Sequence, residues 1–210
     1  MRAPGRLELP AIVCVVRHGE TDWNTAGILQ GWIDVPLNDL GRRQAHALGD
    51  TLADAGIVAV HTSPLLRCRA TAEVVAARLD LPSPAMHDGL KERHFGIFQG
   101  IPKAELAESN PQLYQQILQR NPAGRFEEGE AMDEFAARVL EAIFDLAAGH
   151  GGECLLVVTH GWAMDVVARQ ADGLPRHAVL HVKPKNGECL WLEVAGRSMR
   201  RRAVPPRRCG

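Results

Sequence analysis

The chain has 210 residues, a formal net charge of -1, and 46% hydrophobic and 23% charged residues. This length and composition predict a single globular domain over residues 1–210 with a sizeable buried core. A nearly neutral chain lacks the broad positive surface that attracts nucleic acid or anionic membranes, so we expect neither partner. Any site for an anion must therefore be local.

The cysteine and hydropathy patterns predict a cytoplasmic protein. The five cysteines are scattered and include no C-x-x-C pair, which is typical of reduced thiols and not of a disulfide framework. No apolar run is long enough to span a membrane. The apolar segment 9–16 continues directly into Arg17 and His18 without the small-residue cleavage pattern of a signal peptide. We therefore interpret this segment as a first strand.

Apolar runs rich in β-branched residues alternate with helical stripes along the chain. Buried strands are predicted at 11–16, 57–62 and 153–159, with a short strand near 85–86 and an edge strand at 190–194. The arginine-rich segment 197–210 is predicted to be a loose tail outside a core of about 11–195. Strands that alternate with helices predict an α/β fold, with a mostly parallel sheet covered by helices on both faces.

Capping residues mark where the predicted helices begin. Asn38 is expected to cap a helix that ends near residue 55, and Ser63 to cap one with Pro64 at its first position. Pro102 and Pro111 are expected to open two short helices. Two further helices are predicted over about 130–148 and 160–171.

Unusual chemistry follows three of the predicted strands. Arg17 and His18 follow the first strand, Ser63 to Arg67 follow the second, and His160 and Gly161 follow the last. Parallel strands place these ends on one edge of the sheet, where open α/β sheets bind their ligands. Arginine forks match phosphate oxygens, and amides at helix starts add positive potential. The pattern predicts a compact anion site.

The segment 15–24 (VVRHGETDWN) closely resembles the signature of the histidine phosphatase superfamily, which has the phosphoglycerate-mutase-like fold. The similarity covers roughly residues 11–195. Its further matches are Gln30–Gly31, 34–37, Gly41, Gln44–Ala45, 63–71, 90–100 and 157–161. The resemblance implies a three-layer α/β sandwich and an enzyme that acts on a small phosphorylated substrate.

The resemblance also implies the roles of the site residues. His18 corresponds to a nucleophile that accepts the phosphoryl group as phosphohistidine. Arg17, Arg67 and His160 correspond to groups that bind the non-bridging oxygens and oppose their developing charge. Glu92 matches the general acid, which protonates the leaving alcohol and then activates water. The implied substrate-binding residues are Asn24, Gln30, Gly31, Arg93, Lys103 and Gly161.

The sequence lacks the motifs of other hydrolases and kinases, and the chemistry that the resemblance implies needs no metal or other cofactor. No G-x-S-x-G, Walker A or H-E-x-x-H motif occurs, and the remaining histidines lack the spacing of metal ligands. A catalytically inactive phosphate-binding protein is a second hypothesis, although Arg17, His18, Arg67, Glu92 and His160 are all intact.

The resemblance also implies a possible homodimer.

Two reactions are compatible with these residues. The segments 31–32, 34–35 and 92–103 resemble the cofactor-dependent phosphoglycerate mutases, in which residues corresponding to Arg93 and Lys103 help to bind substrate. Such a mutase is primed by 2,3-bisphosphoglycerate and returns the phosphoryl group to a phosphoglycerate. This alternative stays open.

Other features resemble the phosphatase branch, in which water accepts the phosphoryl group. The connection 121–129 is shorter than the insertion that helps to close the mutase site. Gln119 and Arg120 stand where the mutases have two consecutive arginines, and Gln30 and Asn186 resemble the phosphatases. We therefore favour a phosphomonoesterase over a mutase.

Overall fold

The computed structural model describes residues 9–119, 121, 125–175 and 184–203. The strands are β1 (Ala11–Arg17), β2 (Ile57–Thr62), β3 (Ala85–Met86), β4 (Cys154–Thr159), β5 (Cys189–Ala195) and β6 (Ser198–Arg201). The helices are α1 (Asp22–Thr25), α2 (Asp39–Thr51), α3 (Leu66–Arg78), α4 (Lys103–Ser109), α5 (Pro111–Leu118), α6 (Met132–Ala148) and α7 (Gly161–Ala171). Arg120, part of the 121–129 connection and the end of the predicted tail lie outside the described residues.

The strands form one six-stranded sheet in the order β3-β2-β4-β1-β5-β6. Strands β3, β2, β4 and β1 are parallel, whereas β5 and β6 are antiparallel additions at one side. The core on one face includes residues of α6 and α7, and the core on the other includes residues of α2 and α3. The predicted mostly parallel sheet with helices on both faces is therefore confirmed.

Burial on both faces explains why the central strands are continuous apolar runs. Val13 and Val15 of β1 pack into the core beneath α6 and α7, whereas Cys14 and Val16 pack into the opposite core. Fully burying a valine side chain stabilises the fold by about 1.5–3 kcal/mol. No helix within the described residues is long and apolar enough to cross a membrane.

Most helix starts agree with their capping residues, but the start of α3 differs. Asn38 accepts a hydrogen bond from the Gly41 amide at 2.8 Å and caps α2 as predicted. Helix α3 begins at Leu66, so Pro64 is not its first residue and Ser63 does not cap it. The first helical amide, that of Leu66, instead donates to Asp34 Oδ1 at 2.7 Å. The Ser63 hydroxyl lies at the strand end, where it contacts His160.

The carboxyl-terminal strands also differ from the prediction. Strand β5 was expected at an edge, but it lies between β1 and β6. Residues 198–201, expected within a loose tail, form the edge strand β6. They are ordered by backbone pairing with β5 and by Met199, which is buried in the core. One apolar residue in a polar segment is too weak a pattern to predict a strand.

Candidate active site

Strand β4 lies between β1 and β2 and is parallel to both. The carboxyl ends of the three strands therefore lie side by side. Arg17 pairs with Thr159 across β1 and β4, so the residues that follow them, His18 and His160, are neighbours. Their ring centroids are 5.3 Å apart in an edge contact. The structure thus brings together the histidines that the sequence placed at separate strand ends.

The ring of His18 is held in one orientation by the backbone of its own loop. His18 Nδ1 lies 2.7 Å from the Gly19 carbonyl oxygen, to which it donates its hydrogen. In the neutral ring this leaves Nε2 with its lone pair. His18 is 3% exposed and lines a cavity, so this nitrogen has the electronic state that a nucleophile requires.

A close backbone contact fixes the loop that carries His18. The Gly19 amide donates to Thr71 Oγ1 at 3.0 Å, on helix α3. A Cβ on Gly19 would lie 2.4 Å from the Gly41 carbonyl oxygen, at the start of α2. Only glycine fits this approach, so the His-Gly pair is a packing requirement of the loop.

His160 is fully buried, and its ring is oriented by two residues of the segment 63–71 for which the sequence predicted no role in the site. His160 Nε2 lies 2.8 Å from Ser63 Oγ and 3.3 Å from Cys68 Sγ. Cys68 also donates to the Thr159 carbonyl oxygen at 3.3 Å. Burial raises the pKa of the Cys68 thiol, so this group acts as a neutral packing residue. In the sequence, Cys68 is one of several apolar residues at helical spacing, and that pattern does not predict a contact with His160.

The two arginines are fixed by backbone carbonyls and converge on the cavity beside His18. Arg67 donates from Nη1 to the Ile33 carbonyl at 3.0 Å and from Nη2 to the Gly31 carbonyl at 2.8 Å. Arg67 Nε is buried and has no hydrogen-bond partner among the described residues. Arg17 Nη1 donates to the Pro184 carbonyl at 2.9 Å. Both guanidinium groups are therefore pre-oriented cations.

A short polar network forms the next part of the cavity wall. Gln30 Nε2 lies 2.9 Å from Thr21 Oγ1, and Thr21 caps α1 by accepting from the Asn24 amide at 3.2 Å. Asn186 Nδ2 donates to the His18 carbonyl at 2.8 Å and contacts Asn24 Oδ1 at 3.4 Å. Asn186 thus joins the loop before β5 to the His18 loop.

Glu92 faces the same cavity, and its carboxylate is held by two backbone amides. Oε1 accepts from the Arg93 amide at 2.9 Å, and Oε2 accepts from the Trp162 amide at 3.3 Å. The Trp162 amide belongs to the first turn of α7, which favours a negative charge. Glu92 is 8% exposed, so only a small part of it contacts solvent.

The cavity encloses about 110 Å³ at the strand ends. Nine of the residues predicted for the site line it, namely Arg17, His18, Asn24, Gln30, Gly31, Arg67, Glu92, Lys103 and Gly161. His160 lies behind this lining, against the His18 ring. The wall also has apolar side chains that the sequence did not identify, namely Ile28, Leu29, Phe95, Ile117, Leu118 and Trp162.

Arg93 is the predicted substrate-binding residue that the structure places elsewhere. Its side chain is 1% exposed and does not line the cavity. The guanidinium lies over the rings of Phe126, at 4.6 Å, and Trp162, at 5.4 Å, and Nε donates to the Glu130 carbonyl at 3.1 Å. Burial lowers the pKa of Arg93 to about 10, which leaves it cationic at neutral pH. These contacts place the guanidinium between aromatic rings and the backbone at Glu130.

The charge distribution keeps both histidines neutral. Burial, followed by the positive charges of Arg67 and Arg17, holds the pKa of His18 well below its usual value. Burial, Arg67 and His18 have the same effect on the pKa of His160. Within the described residues, no group of three or more His, Cys, Asp or Glu side chains is arranged to hold a metal ion. The site therefore combines permanent arginine cations with neutral imidazoles, a combination suited to binding an oxyanion.

The fold is α/β, and a cavity lined by two arginines and His18 lies at the carboxyl ends of its parallel strands. The chain belongs to the histidine phosphatase superfamily, branch 1, whose family model matches residues 13–204. The resemblance found in the sequence is thereby confirmed.

The relatives include both phosphatases and mutases. The metal-independent phosphoserine phosphatase of Arabidopsis thaliana is 37% identical over 161 residues, which are 74% of this chain and 66% of that relative, just under two thirds. The probable phosphoglycerate mutase GpmB of Yersinia enterocolitica is 33% identical over 174 residues, covering 83% of this chain and 80% of that protein. The structure of Bacillus stearothermophilus YhfR matches with a TM-score of 0.84 and 29% identity, covering 92% of this chain and 96% of that one.

The neutral histidines predict a loss of stability at mildly acidic pH. Because the pKa values of His18 and His160 are lowered in the fold, the unfolded chain takes up protons below about pH 6.5 that the folded chain does not. Stability should be fully present above that pH and fall as the pH decreases. His18→Gln should weaken the dependence by about 1 kcal/mol per pH unit below 6.5. Urea unfolding at pH 7.5 and 5.5 measures this.

The matched control is His46→Gln, because His46 is an exposed histidine on α2. That variant should keep the wild-type pH dependence. An identical pH dependence in the wild-type and His18→Gln proteins would show that His18 is not held neutral by the fold.

Proposed function

We propose that this protein is a phosphomonoesterase that hydrolyses a small phosphorylated metabolite through a phosphohistidine on His18. The observation that carries the proposal is the His18 ring, whose Nδ1 is committed to the Gly19 carbonyl at 2.7 Å. This leaves Nε2 as the nucleophilic nitrogen, in a cavity also lined by Arg17 and Arg67. The phosphatase relative supports the same reaction class.

In the first step, His18 Nε2 attacks phosphorus in line and the bond from phosphorus to the leaving oxygen breaks. Arg17 and Arg67, which line the cavity, oppose the charge that develops on the non-bridging oxygens, and His160 supports the His18 ring from behind the lining. Fixed donors are more effective than water here because they need no reorganisation during the reaction. The carbonyl contacts of Arg67 provide such a fixed arrangement.

Glu92 supplies and removes protons in this scheme. As a carboxylic acid it protonates the departing alcohol, and as the resulting carboxylate it takes a proton from the attacking water. The water oxygen then bonds to phosphorus, the bond to Nε2 breaks, and inorganic phosphate leaves. The amides of Arg93 and Trp162 hold the carboxyl group at the cavity wall, and they favour the carboxylate that forms once the proton has left.

Two structural observations favour water as the acceptor over a second phosphoglycerate. Arg93, which corresponds to a mutase substrate-binding residue, packs against Phe126 and Trp162 and does not line the cavity. Asn186, a phosphatase-like residue, contacts both His18 and Asn24. Lys103 does line the cavity, and it is the feature that favours the mutase alternative.

The phosphohistidine should be detectable directly. Rapid acid-free quenching after mixing with a ³²P-labelled phosphomonoester should trap a base-stable, acid-labile label on His18, because phosphoimidazole bonds hydrolyse in acid. His18→Ala should abolish labelling and turnover, whereas His46→Ala, at an exposed position on α2, should leave both intact. A fully active His18→Ala enzyme rules out the proposed nucleophile.

Glu92 should matter most for poor leaving groups. An alkyl alcohol needs its oxygen protonated as it departs, whereas p-nitrophenolate leaves largely unaided. Glu92→Gln should therefore lower the rate on an alkyl phosphate by about 10²–10⁴, and lower it less on p-nitrophenyl phosphate. Glu105→Gln, at an exposed position on α4, is the matched control. Equal losses on both substrates contradict the role as proton donor.

The phosphatase and mutase hypotheses differ in their products. With 3-phosphoglycerate, in the presence and absence of 2,3-bisphosphoglycerate, we expect little 2-phosphoglycerate, and across a panel of monoesters we expect release of free phosphate. Both products can be followed by phosphorus NMR. Rapid isomerisation that depends on bisphosphoglycerate, with negligible phosphate release, would show that the mutase-like segment 92–103 defines the reaction.

A further inference from the structure

The loop that carries Glu92 is held by one guanidinium group on helix α6. Arg138 donates from Nη1 to the carbonyl oxygens of Gly89, at 3.0 Å, and Lys91, at 2.9 Å. It donates from Nη2 to the Glu92 carbonyl oxygen at 2.8 Å. Because residues 91–95 form no helix or strand, the carbonyls of Lys91 and Glu92 accept their hydrogen bonds from side chains.

Arg138 is itself fixed by a carboxylate. Glu130 accepts from Arg138 Nε at 2.5 Å and from Arg138 Nη2 at 2.8 Å, and both side chains are mostly sheltered from solvent. Glu130 Oε2 also accepts from the His94 amide at 3.2 Å. The ion pair therefore contacts the loop on both sides of Glu92, and it uses the planar fork of arginine, which lysine lacks.

The carbonyl held by Arg138 belongs to the peptide that orients the Glu92 carboxylate. The Glu92 carbonyl oxygen accepts from Arg138 and, at 2.7 Å, from Trp32 Nε1. The N–H of the same peptide is the Arg93 amide, which donates to Glu92 Oε1 at 2.9 Å. A trans peptide is planar, so fixing the direction of its carbonyl also fixes the direction of its N–H.

We propose that Arg138 is a positioning residue for Glu92: by holding the peptide between Glu92 and Arg93, it aims the amide that orients the Glu92 carboxylate. This inference rests on the proposed function, in which Glu92 exchanges protons with the leaving group and water. Without the Arg138 guanidinium, the peptide between Glu92 and Arg93 can rotate. Misplacement of a catalytic group by about 1 Å lowers the reaction rate severely. The phosphate-binding groups, which Arg138 does not contact, keep their arrangement.

The test compares kcat/KM on an alkyl phosphate with kcat/KM on p-nitrophenyl phosphate, both measured on one sample. The ratio of the two values does not depend on the fraction of folded protein, so lower stability cannot imitate the effect. Arg138→Met should lower the ratio by about tenfold or more. Arg138→Lys, which keeps the charge beside Glu130 but not the fork, should lower it as well.

The matched control is Arg197→Met. Arg197 forms an exposed bidentate ion pair with Glu141, also on α6, at 2.5 and 2.7 Å. Its removal should leave the ratio unchanged, because this pair does not contact the loop of Glu92. In a Glu92→Gln background, Arg138→Met should cause no further fall in the ratio, since residues that act through one group are not additive.

The outcomes separate this inference from the proposed function. Equal losses on both substrates in Arg138→Met, or no loss, overturn the positioning role, as does a wild-type ratio in Arg138→Lys. If Glu92→Gln itself loses activity equally on both substrates, the role of Glu92 fails, independently of Arg138. A fall in the ratio for both Glu92→Gln and the Arg138 variants, with Arg197→Met unaffected, supports the proposal.

Discussion

The parallel pairing of β1 with β4 is the constraint on which the site depends. Its register sets Arg17 beside Thr159. The residues that follow them, His18 and His160, therefore lie side by side just beyond the ends of the two strands. Strand β2 pairs with the other side of β4 and brings Ser63 and Arg67 to the same edge. A slip of one residue would turn every side chain of a strand to the opposite face, where the close-packed core is shaped for different side chains.

Collecting cations in a buried cavity is costly unless their hydrogen bonds are satisfied. Backbone carbonyls accept hydrogen bonds from both terminal nitrogens of Arg67, and the Pro184 carbonyl accepts one from Arg17 Nη1. Burial, and after it the positive charges of Arg67 and Arg17, hold the pKa values of His18 and His160 well below the usual value. The positive potential that suits the cavity to an oxyanion therefore adds to burial in favouring the neutral imidazole.

The irregular segment around Glu92 contrasts with the strand ends. It has no sheet register to position it, and its geometry comes from side chains of α6 and from Trp32. Neighbouring side chains also position Arg93. Its guanidinium lies over the rings of Phe126 and Trp162, which stabilise a cation. Residues of a loop thus acquire roles from their neighbours in space, and adjacent positions can face opposite directions.

By itself, the sequence determined the sheet, the covering helices and the grouping of His18, His160 and Arg67, because burial periodicity and strand ends are local patterns. It also supplied Glu92 through a motif. Only the tertiary structure decided that β6 is the edge strand and that Asp34, not Ser63, accepts a hydrogen bond from the first amide of α3. It also decided that Arg93 does not line the cavity. Those features depend on contacts between residues far apart in the chain, and the hydrogen bond from Arg138 to the Glu92 carbonyl is another such contact. Spacing along a sequence carries no information about which distant partner satisfies a buried polar group.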